Sequence, residues 1–264
     1  MDSKVVTTAP NLLFNQSVEK GLAVLRSFNA QRRTMTLADV AAAADITKSS
    51  AQRMVYTLEQ LGYVRKHPQT RRYQLTPRVM QLGFNYLIAD PLIEMATPFL
   101  SELARLTGET CNLTEPDGVE MVYVARFVST KFVPIHIPIG GRIPMYCTGS
   151  GRAYLSALPE EEARQLLLAS ERVAHTEHTK TDTHEIMDLL GNARRRGYAV
   201  NREELYLGDM SIAAPIMGAQ GLPMGAVHVV APTSRWTLTE AEQRLAPAAL
   251  ECARAISNSV RALG

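Results

Sequence analysis

The sequence predicts an α+β protein of two domains: a small helical domain that ends in a hairpin, and a larger domain built on an antiparallel sheet. The pattern of residues 36–75 is helix, tight turn, second helix and basic hairpin. After residue 90, apolar strand-like runs joined by hairpin turns alternate with amphipathic helices, which is typical of an α+β domain. The predicted boundaries are a disordered leader at 1–13, the helical domain at 14–75, a linker helix at 76–89 and the sheet domain at 90–264.

Charge is distributed unevenly between these parts. Residues 1–89 contain 12 Lys or Arg and 5 Asp or Glu, a net charge of +7. Residues 90–264 contain 16 and 21, a net charge of −5. A basic excess confined to the helical domain indicates a polyanion-binding module joined to a body that need not touch the polyanion.

Composition restricts the class of protein. An apolar content of 46% and a charged content of 20% are typical of a globular chain with a substantial core. We find no uncharged apolar run of ~18 residues and no secretory signal pattern, so no membrane contact is expected. The three cysteines, an odd number at wide spacing, favour a reducing cytoplasm over a disulfide framework.

The first helix is predicted from Ser17 to about Phe28. Ser17 is the expected N-cap, and Val18, Leu22, Leu25 and Phe28 fall near helical spacing, so they are expected to face the core.

The helix-turn-helix follows. Thr36 is the expected N-cap of its first helix, Asp45 and Ile46 form the turn, and Thr47 is the expected N-cap of a helix that runs to about Leu61. Apolar residues of this last helix lie on one stripe, which leaves polar side chains on its outer face. Such an arrangement places one helix in the major groove of DNA, where Gln and Arg can contact base edges. The alternative is an ordinary amphipathic helix with a solvated face.

A basic hairpin ends the helical domain. Gly62 is expected to end the helix, and residues 63–66 and 72–75 alternate as strands around a turn. Its cations, Arg65, Lys66, Arg71 and Arg72, suit phosphate or minor-groove contacts, although a solvated hairpin would also carry such charges. Thr76 then begins the linker helix, with Pro77 at its first position.

The larger domain is predicted to begin with a long amphipathic helix over residues 91–106. A strand pair at 110–114 and 121–127, an apolar run at 132–139 and a second strand pair at 210–217 and 224–231 are expected to form the sheet. Further helices are predicted at 150–156, 160–169, 183–196 and 239–263.

Three ordered motifs give the chain a clear resemblance. They are QSVEKGL at 16–22 with KSSAQR at 48–53, PMYCTGSGRAYL at 144–155, and RGYAVNREE at 196–204 leading into IAAPI at 212–216. Over residues 14–263 the chain resembles the IclR family of bacterial transcriptional regulators. The resemblance implies a GAF-like effector-binding domain and a homodimer built through the DNA-binding domains, often a dimer of dimers.

Together the pattern and the resemblance give a set of expected DNA contacts on a pseudo-palindromic, double-stranded operator. These are Gln16, Ser17, Thr36, Thr47, Lys48, Ser49, Ser50, Gln52, Arg53, Tyr56, Lys66, Arg71 and Arg72.

The resemblance also implies an effector pocket on the sheet of the larger domain. A Gly-rich turn that enters a helix exposes backbone N–H groups at the positive end of the helix, which suits a carboxylate. The plainer alternative is that these glycines only permit a tight turn. The expected pocket residues are Phe127, Gly141, Arg142, Ile143, Met145, Tyr146, Thr148, Asn201, Met210, Ser211, His228 and Val230.

Several pocket positions depart from family members that bind small hydrophilic acids. Asn201 stands where those have an acidic residue, Ser211 where a cysteine is common, and His228 and Val230 where small hydroxyl residues are frequent. These residues favour a larger, flatter ligand, with an aromatic acid of the benzoate type as first choice. His228 would bond its carboxylate or ring hydroxyl, or else be a satisfied core histidine.

Two other groups of residues could suggest a metal site or a nucleophile. His175, His178 and His184 have spacing that could bind a metal, yet they fall in a polar loop without a nearby cysteine. Cys147 lacks a matched base, and no nucleotide-binding or nucleophile-elbow motif is present. We therefore expect no catalytic residue, metal or cofactor.

Two hypotheses follow. The first is a ligand-responsive transcriptional regulator of a catabolic operon, an activator or a repressor. The second is a metabolite-binding or enzymatic module whose N-terminal domain makes protein contacts.

Overall fold

The computed structural model describes residues 13–129 and 137–262, and the chain divides into two compact units between Asn85 and Tyr86. This division lies inside one helix, the predicted linker. The helices are α1 (Gln16–Ser27), α2 (Leu37–Ala43), α3 (Lys48–Gln60), α4 (Met80–Ala89), α5 (Pro91–Thr107), α6 (Gly149–Ala157), α7 (Glu160–Ala169), α8 (Thr183–Arg196) and α9 (Leu238–Arg261). The strands are β1 (Val64–Lys66), β2 (Tyr73–Leu75), β3 (Cys111–Asp117), β4 (Glu120–Phe127), β5 (Arg142–Pro144), β6 (Ala199–Arg202), β7 (Met210–Met217) and β8 (Pro223–Val230).

The N-terminal unit packs α1, α2 and α3 around a small core that includes Val24, Val40 and Val55. Thr36 and Asp39 form a reciprocal capping box at the start of α2, and the Thr47 side chain accepts from the Ser50 backbone N–H at the start of α3. Both predicted caps are therefore confirmed. The β1–β2 hairpin is antiparallel and follows α3 directly, so the unit is a winged helix-turn-helix.

The start of α1 differs from the prediction. Asn15 is its N-cap, because the Asn15 carboxamide oxygen accepts from the backbone N–H groups of Ser17 and Val18 at 2.9 and 3.3 Å. Asn is at least as good an N-cap as Ser, so the cap moves two residues upstream of Ser17. The predicted inward face is also wrong in part, because Val18 and Leu22 are 58% and 43% exposed.

The linker begins with a 3₁₀ turn, Pro77–Val79, which Thr76 caps through the Arg78 backbone N–H. It continues as α4, which has no buried residue. The exposed large apolar side chains of α4 are Met80, Leu82, Phe84, Tyr86 and Ile88.

The C-terminal unit is a six-stranded antiparallel sheet in the order β5-β4-β3-β8-β7-β6. Helices α5 and α9 cover one face, and α6 covers the other with α7 and α8 outside it. The predicted α+β class with an antiparallel sheet is confirmed. The short strands β5 and β6 were not predicted, and the predicted apolar run at 132–139 lies mostly outside the described residues. None of the helices in the described part of the chain has the length and apolar character needed to cross a bilayer.

Candidate functional site

The outer face of α3 presents the polar side chains that the sequence placed there. Ala51, Val55 and Leu58 are buried on its inner side. The exposed residues are Lys48, Ser49, Gln52, Arg53 and Tyr56, and Tyr56 is 64% exposed. Such a face, at the leading end of the second helix of the motif, matches the position of a major-groove recognition helix.

Several other residues predicted to contact DNA form hydrogen bonds within the N-terminal unit. The Thr36 and Thr47 side chains cap their helices, and Ser50 bonds to Thr47. Arg72 donates to the Asp39 carboxylate at 3.2 Å and to the Thr34 carbonyl at 3.1 Å, which ties the wing to α2. These side chains therefore make contacts within the fold.

The remaining predicted contacts are accessible at the edges of this unit. Arg71 is exposed at the wing, in a left-handed conformation with φ of 58°. The ammonium of Lys66 lies 5.1 Å from the centre of the Tyr73 ring. Gln16 and Ser17 are exposed at the first turn of α1.

A buried polar pocket lies in the C-terminal unit, between the sheet, the start of α6 and the loop that connects β6 to β7. Six of the predicted effector residues line it: Ile143, Thr148, Asn201, Ser211, His228 and Val230. It also has walls that the sequence reading missed, chiefly Asn112, Tyr123, Arg126, Ser150 and Asp209.

The sheet register explains why these side chains meet. Arg126, Asn112 and His228 are paired across the neighbouring strands β4, β3 and β8. The next set on the same face is Val230, Ser211 and Asn201, paired across β8, β7 and β6. Residues paired across a sheet face the same side, so the pocket floor is two adjacent rows of side chains.

A β-bulge in β4 brings Arg126 to this face. Thr114 pairs with Tyr123 and Leu113 with Ala125, so Val124 is an extra residue in β4. Without the bulge, residues 123 and 126 would face opposite sides, because side chains alternate along a strand. With it, Tyr123 and Arg126 both face the pocket, and Phe127 is turned to the other face.

His228 is the centre of the pocket floor. Its Nε2 lies 3.0 Å from the Asn112 amide nitrogen and 3.3 Å from the Tyr123 hydroxyl, and the Tyr123 ring meets it edge-on. Burial, and then the nearby Arg126 guanidinium, lower the pKa of His228 to about 3, so the imidazole is neutral. With the amide assigned as a donor to Nε2, the proton lies on Nδ1.

Three buried polar atoms around the pocket have no hydrogen-bond partner among the described residues: Asn112 Oδ1, Ser150 Oγ and His228 Nδ1. Each residue is at most 3% exposed. An unsatisfied buried polar group costs about 1–3 kcal/mol. Three such groups together indicate a site where a polar ligand or water supplies the missing hydrogen bonds.

The start of α6 forms the wall of the pocket that lies opposite the sheet. Thr148 is its N-cap, and its hydroxyl also donates to the Pro144 carbonyl at 2.6 Å. A Cβ on Gly151 would overlap the backbone of Met145, and one on Gly149 would overlap Ser211, so these glycines permit close packing. The helix consequently directs its positive end toward the sheet.

Asn201 and Asp209 also line the pocket. Asn201 donates from its amide to the Cys147 carbonyl at 2.8 Å, so it holds the segment before α6 in place. Asp209 lies just before β7, and burial raises the pKa of its carboxyl to about 7. The pocket thus combines a cation, neutral donors, a helix N-terminus and one buried acid.

Met210 and Phe127 were predicted to line the pocket, but both face the other side of the sheet. Met210 and Ser211 are neighbours in β7 and must face opposite sides, so Met210 lies in the core against α5 and α9. Phe127 packs against that same core because of the bulge.

Four more residues that were predicted to line the pocket instead make contacts in the structure around it. Arg142 is exposed and pairs with Asp117 and Glu120 at 2.7 and 2.6 Å. Gly141 bonds through its backbone carbonyl to the Tyr123 N–H. Met145 and Tyr146 are buried in the core beneath α6.

The residues set aside for other chemistry are not brought together. His175 stacks on Tyr146, His178 lies near Glu177, and His184 contacts Asp188, and no cluster of three metal-ligating residues occurs in the described ranges. Cys147 is buried, which raises the pKa of its thiol to about 12, so it is a poor nucleophile.

A winged helix-turn-helix joined to a sheet domain with a buried polar pocket defines a helix-turn-helix transcriptional regulator. The model of the IclR helix-turn-helix domain matches residues 17–68, and that of the bacterial transcriptional regulator IclR C-terminal domain matches residues 84–258. The chain belongs to the IclR family of bacterial transcriptional regulators, whose members are regulators rather than enzymes.

Individual relatives agree with this assignment. The Pca regulon regulatory protein of Pseudomonas putida is 32% identical over 242 residues, covering 91% of this chain and 82% of that protein. The transcriptional repressor IclR of Escherichia coli is 29% identical over 234 residues, covering 88% and 85%. A crystal structure of a protein from Rhodococcus sp. RHA1 superimposes with a TM-score of 0.82 at 36% identity, covering 95% of this chain and 100% of that one.

Proposed function

We propose that this regulator controls a catabolic operon in response to a small carboxylic acid that binds in the buried pocket, with an aromatic acid as first choice. The observation that carries the proposal is the set of buried polar atoms on Asn112, Ser150 and His228 that lack a hydrogen-bond partner within residues 13–129 and 137–262. The 32% identical relative that is named a Pca regulon regulatory protein is consistent with control of a regulon.

The charge distribution around the pocket favours an anion. Arg126 supplies a permanent positive charge, and the neutral His228 offers Nδ1–H as a donor. The Ser150 hydroxyl and the first N–H groups of α6 add donors at the positive end of a helix. A carboxylate between the sheet and α6 would satisfy these donors together.

Apolar walls from Tyr123, Ile143, Leu205 and Val230 would flank the rest of the ligand. The cavity is small, about 40 Å³, which is room for on the order of three water molecules. A ring can therefore enter only if wall side chains move outward, whereas a short aliphatic acid needs less displacement. Binding that requires such movement gives the ligand unequal affinity for two arrangements, which is the condition for a regulatory effect.

On the DNA side, we propose that two copies of the chain bind a pseudo-palindromic operator through the outer face of α3. The exposed apolar residues of α1 and α4 support a symmetric interface with a second copy, because monomers seldom expose so many large apolar side chains together. A dimer of dimers would extend the same arrangement. The cysteine pattern supports a cytoplasmic location.

The test uses the full-length protein and DNA fragments from upstream of its own gene and its neighbours. We expect preferential binding to one fragment, and a change in that affinity when the responsive acid is added. A thermal-shift screen of aromatic and aliphatic acids identifies the acid, because a ligand that binds only the native state raises the melting temperature. Equal affinity for all fragments, with and without every acid that binds, would contradict the proposal.

A further inference from the structure

Asp209 occupies a distinctive position relative to the pocket floor. It lies two residues before Ser211 at the entrance of β7, and it lines the same cavity. Ala213, four residues further along, pairs with His228. Ser211 lies between Asp209 and Ala213 along the chain, so Asp209 lies beyond the Ser211 row, on the side away from the His228 row.

The backbone of Asp209 is held by hydrogen bonds, while its carboxyl has no partner in the described part of the chain. Its N–H donates to the Tyr206 carbonyl at 3.3 Å, and its carbonyl accepts from the Glu203 N–H at 2.6 Å. The carboxyl makes no hydrogen bond or ion pair with the described residues. The residue is half-buried, and this desolvation raises the pKa of its carboxyl to about 7.

The other ionisable groups at this cavity do not neutralise it. Tyr123 and Arg126 come from β4, His228 from β8 and Tyr206 from the loop before Asp209. Burial, and then the charge of Asp209, raise the pKa of Tyr123, so the two groups lie within electrostatic reach. A half-buried carboxyl without a partner among the described residues is costly to ionise, and a hydrogen-bond donor on a ligand would offset that cost.

We propose that Asp209 selects effectors that carry a hydroxyl or amino donor at the end opposite their carboxylate. This inference rests on the proposed function, because it assumes that an acid binds with its carboxylate toward Arg126 and His228. A carboxylate can only accept hydrogen bonds, so a donor on the ligand would satisfy it. A ligand without a donor would leave the buried acid unpaired, and sites of this kind reject such analogues strongly.

The experiment compares two matched ligand pairs by isothermal titration calorimetry on the full-length protein: benzoate with 4-hydroxybenzoate, and butyrate with 4-hydroxybutyrate. We expect the hydroxylated member of at least one pair to bind tenfold or more tightly. In Asp209→Leu this preference should fall below twofold while the unsubstituted acid binds at least as well as before.

Two further variants isolate the cause. Asp209→Asn keeps an acceptor oxygen but cannot ionise, so its preference should be intermediate and constant between pH 6 and 8. The parent protein's preference should increase over that range as Asp209 ionises. Asp188→Asn, an exposed acid on α8, is the control and should match the parent.

The outcomes separate the two proposals. If the acids bind but neither pair shows the preference in the parent, or if Asp209→Leu keeps the full preference, the role of Asp209 is wrong and the acid-binding pocket stands. If only the aliphatic pair binds with the Asp209-dependent preference, the aromatic choice is wrong and the role of Asp209 stands. If neither pair binds, the proposed pocket function fails, and this inference fails with it.

Discussion

Arg152 and Glu204 form a two-armed ion pair in the interior of the C-terminal unit, with side chains only 2% and 7% exposed. Both terminal nitrogens of the guanidinium donate to the carboxylate, one of them at 2.6 Å. Arg152 Nε also donates to the Tyr146 carbonyl, and Glu204 accepts from the Lys180 N–H. One pair therefore joins α6, the segment before it, the loop before α8 and the loop after β6.

We predict that Arg152→Met destabilises the protein by about 3–5 kcal/mol, because it leaves the Glu204 carboxylate buried without its cation. The double variant Arg152→Met/Glu204→Leu should recover most of that loss, since no buried charge remains. Denaturant unfolding monitored by circular dichroism measures both values. As control, Arg105→Ala removes an exposed pair with Glu102 and should leave stability nearly unchanged, because solvent screens that pair. A double variant no more stable than Arg152→Met would show that the pair's charge is not the cause.

Arg53→Ala should weaken specific DNA binding about tenfold or more and reduce the salt dependence of binding by about one unit. Arg53 is exposed on the outer face of α3, where it can reach a base edge or a phosphate. Fluorescence anisotropy against the preferred upstream fragment, at several salt concentrations, measures both effects. Arg105→Ala, which removes an exposed arginine from α5, should leave binding unchanged. Identical curves for the two variants would remove α3 from the DNA interface.

The raised pKa of Asp209 makes stability depend on pH. With a folded-state pKa of about 7 and an ordinary value of 3.8, the folded protein binds more protons than the unfolded chain between these pH values. This group's contribution is therefore most favourable below about pH 4, and it is lost as pH rises toward 7. Relative to Asp209→Asn, the parent should lose up to about 4 kcal/mol of unfolding free energy over that range. A constant difference between the two proteins from pH 4 to 7 would mean that the acid is well solvated.

The pKa shift of His228 gives the opposite dependence of stability on pH. Its folded-state pKa of about 3 lies below the ordinary value of 6.5, so the unfolded chain binds the extra proton first. Its contribution is fully present above about pH 6.5 and is lost as pH falls toward 3. The parent should therefore lose stability relative to His228→Gln on acidification from pH 6.5 to 4.5. Parallel unfolding curves in ligand-free protein would indicate an imidazole that protonates without cost.

Some of this site could be predicted from sequence, and the rest depends on tertiary detail. The caps at Thr36 and Thr47 follow from local chemistry, whereas Ser211, His228 and Val230 were predicted from the resemblance, because they stand at pocket positions of the IclR family. Arg126 could not be found, because one extra residue in β4 reverses the faces of everything after it. Asp209 carried an available signal: it lies two residues from Ser211 and so shares its face. The same alternation places Met210 on the opposite face of the sheet, so it excludes Met210 from the pocket.

The exposed apolar residues of α4 lead to the last prediction. Phe84 is 57% exposed near the middle of this helix, and Leu82 is 55% exposed two residues earlier. If two copies associate through α1 and α4, Phe84→Glu places two like charges in one symmetric interface. The variant should then sediment as a monomer at concentrations at which the parent is a dimer.

Loss of the dimer should also weaken operator binding, because each copy then holds only one half-site. Leu168→Glu is the matched control, since Leu168 is 58% exposed on α7, and it should leave the parent's sedimentation unchanged. A Phe84→Glu protein that remains dimeric would locate the interface elsewhere. A dimer broken only by Leu168→Glu would assign the interface to the C-terminal unit, and the symmetric arrangement of the two α3 helices would then need another basis.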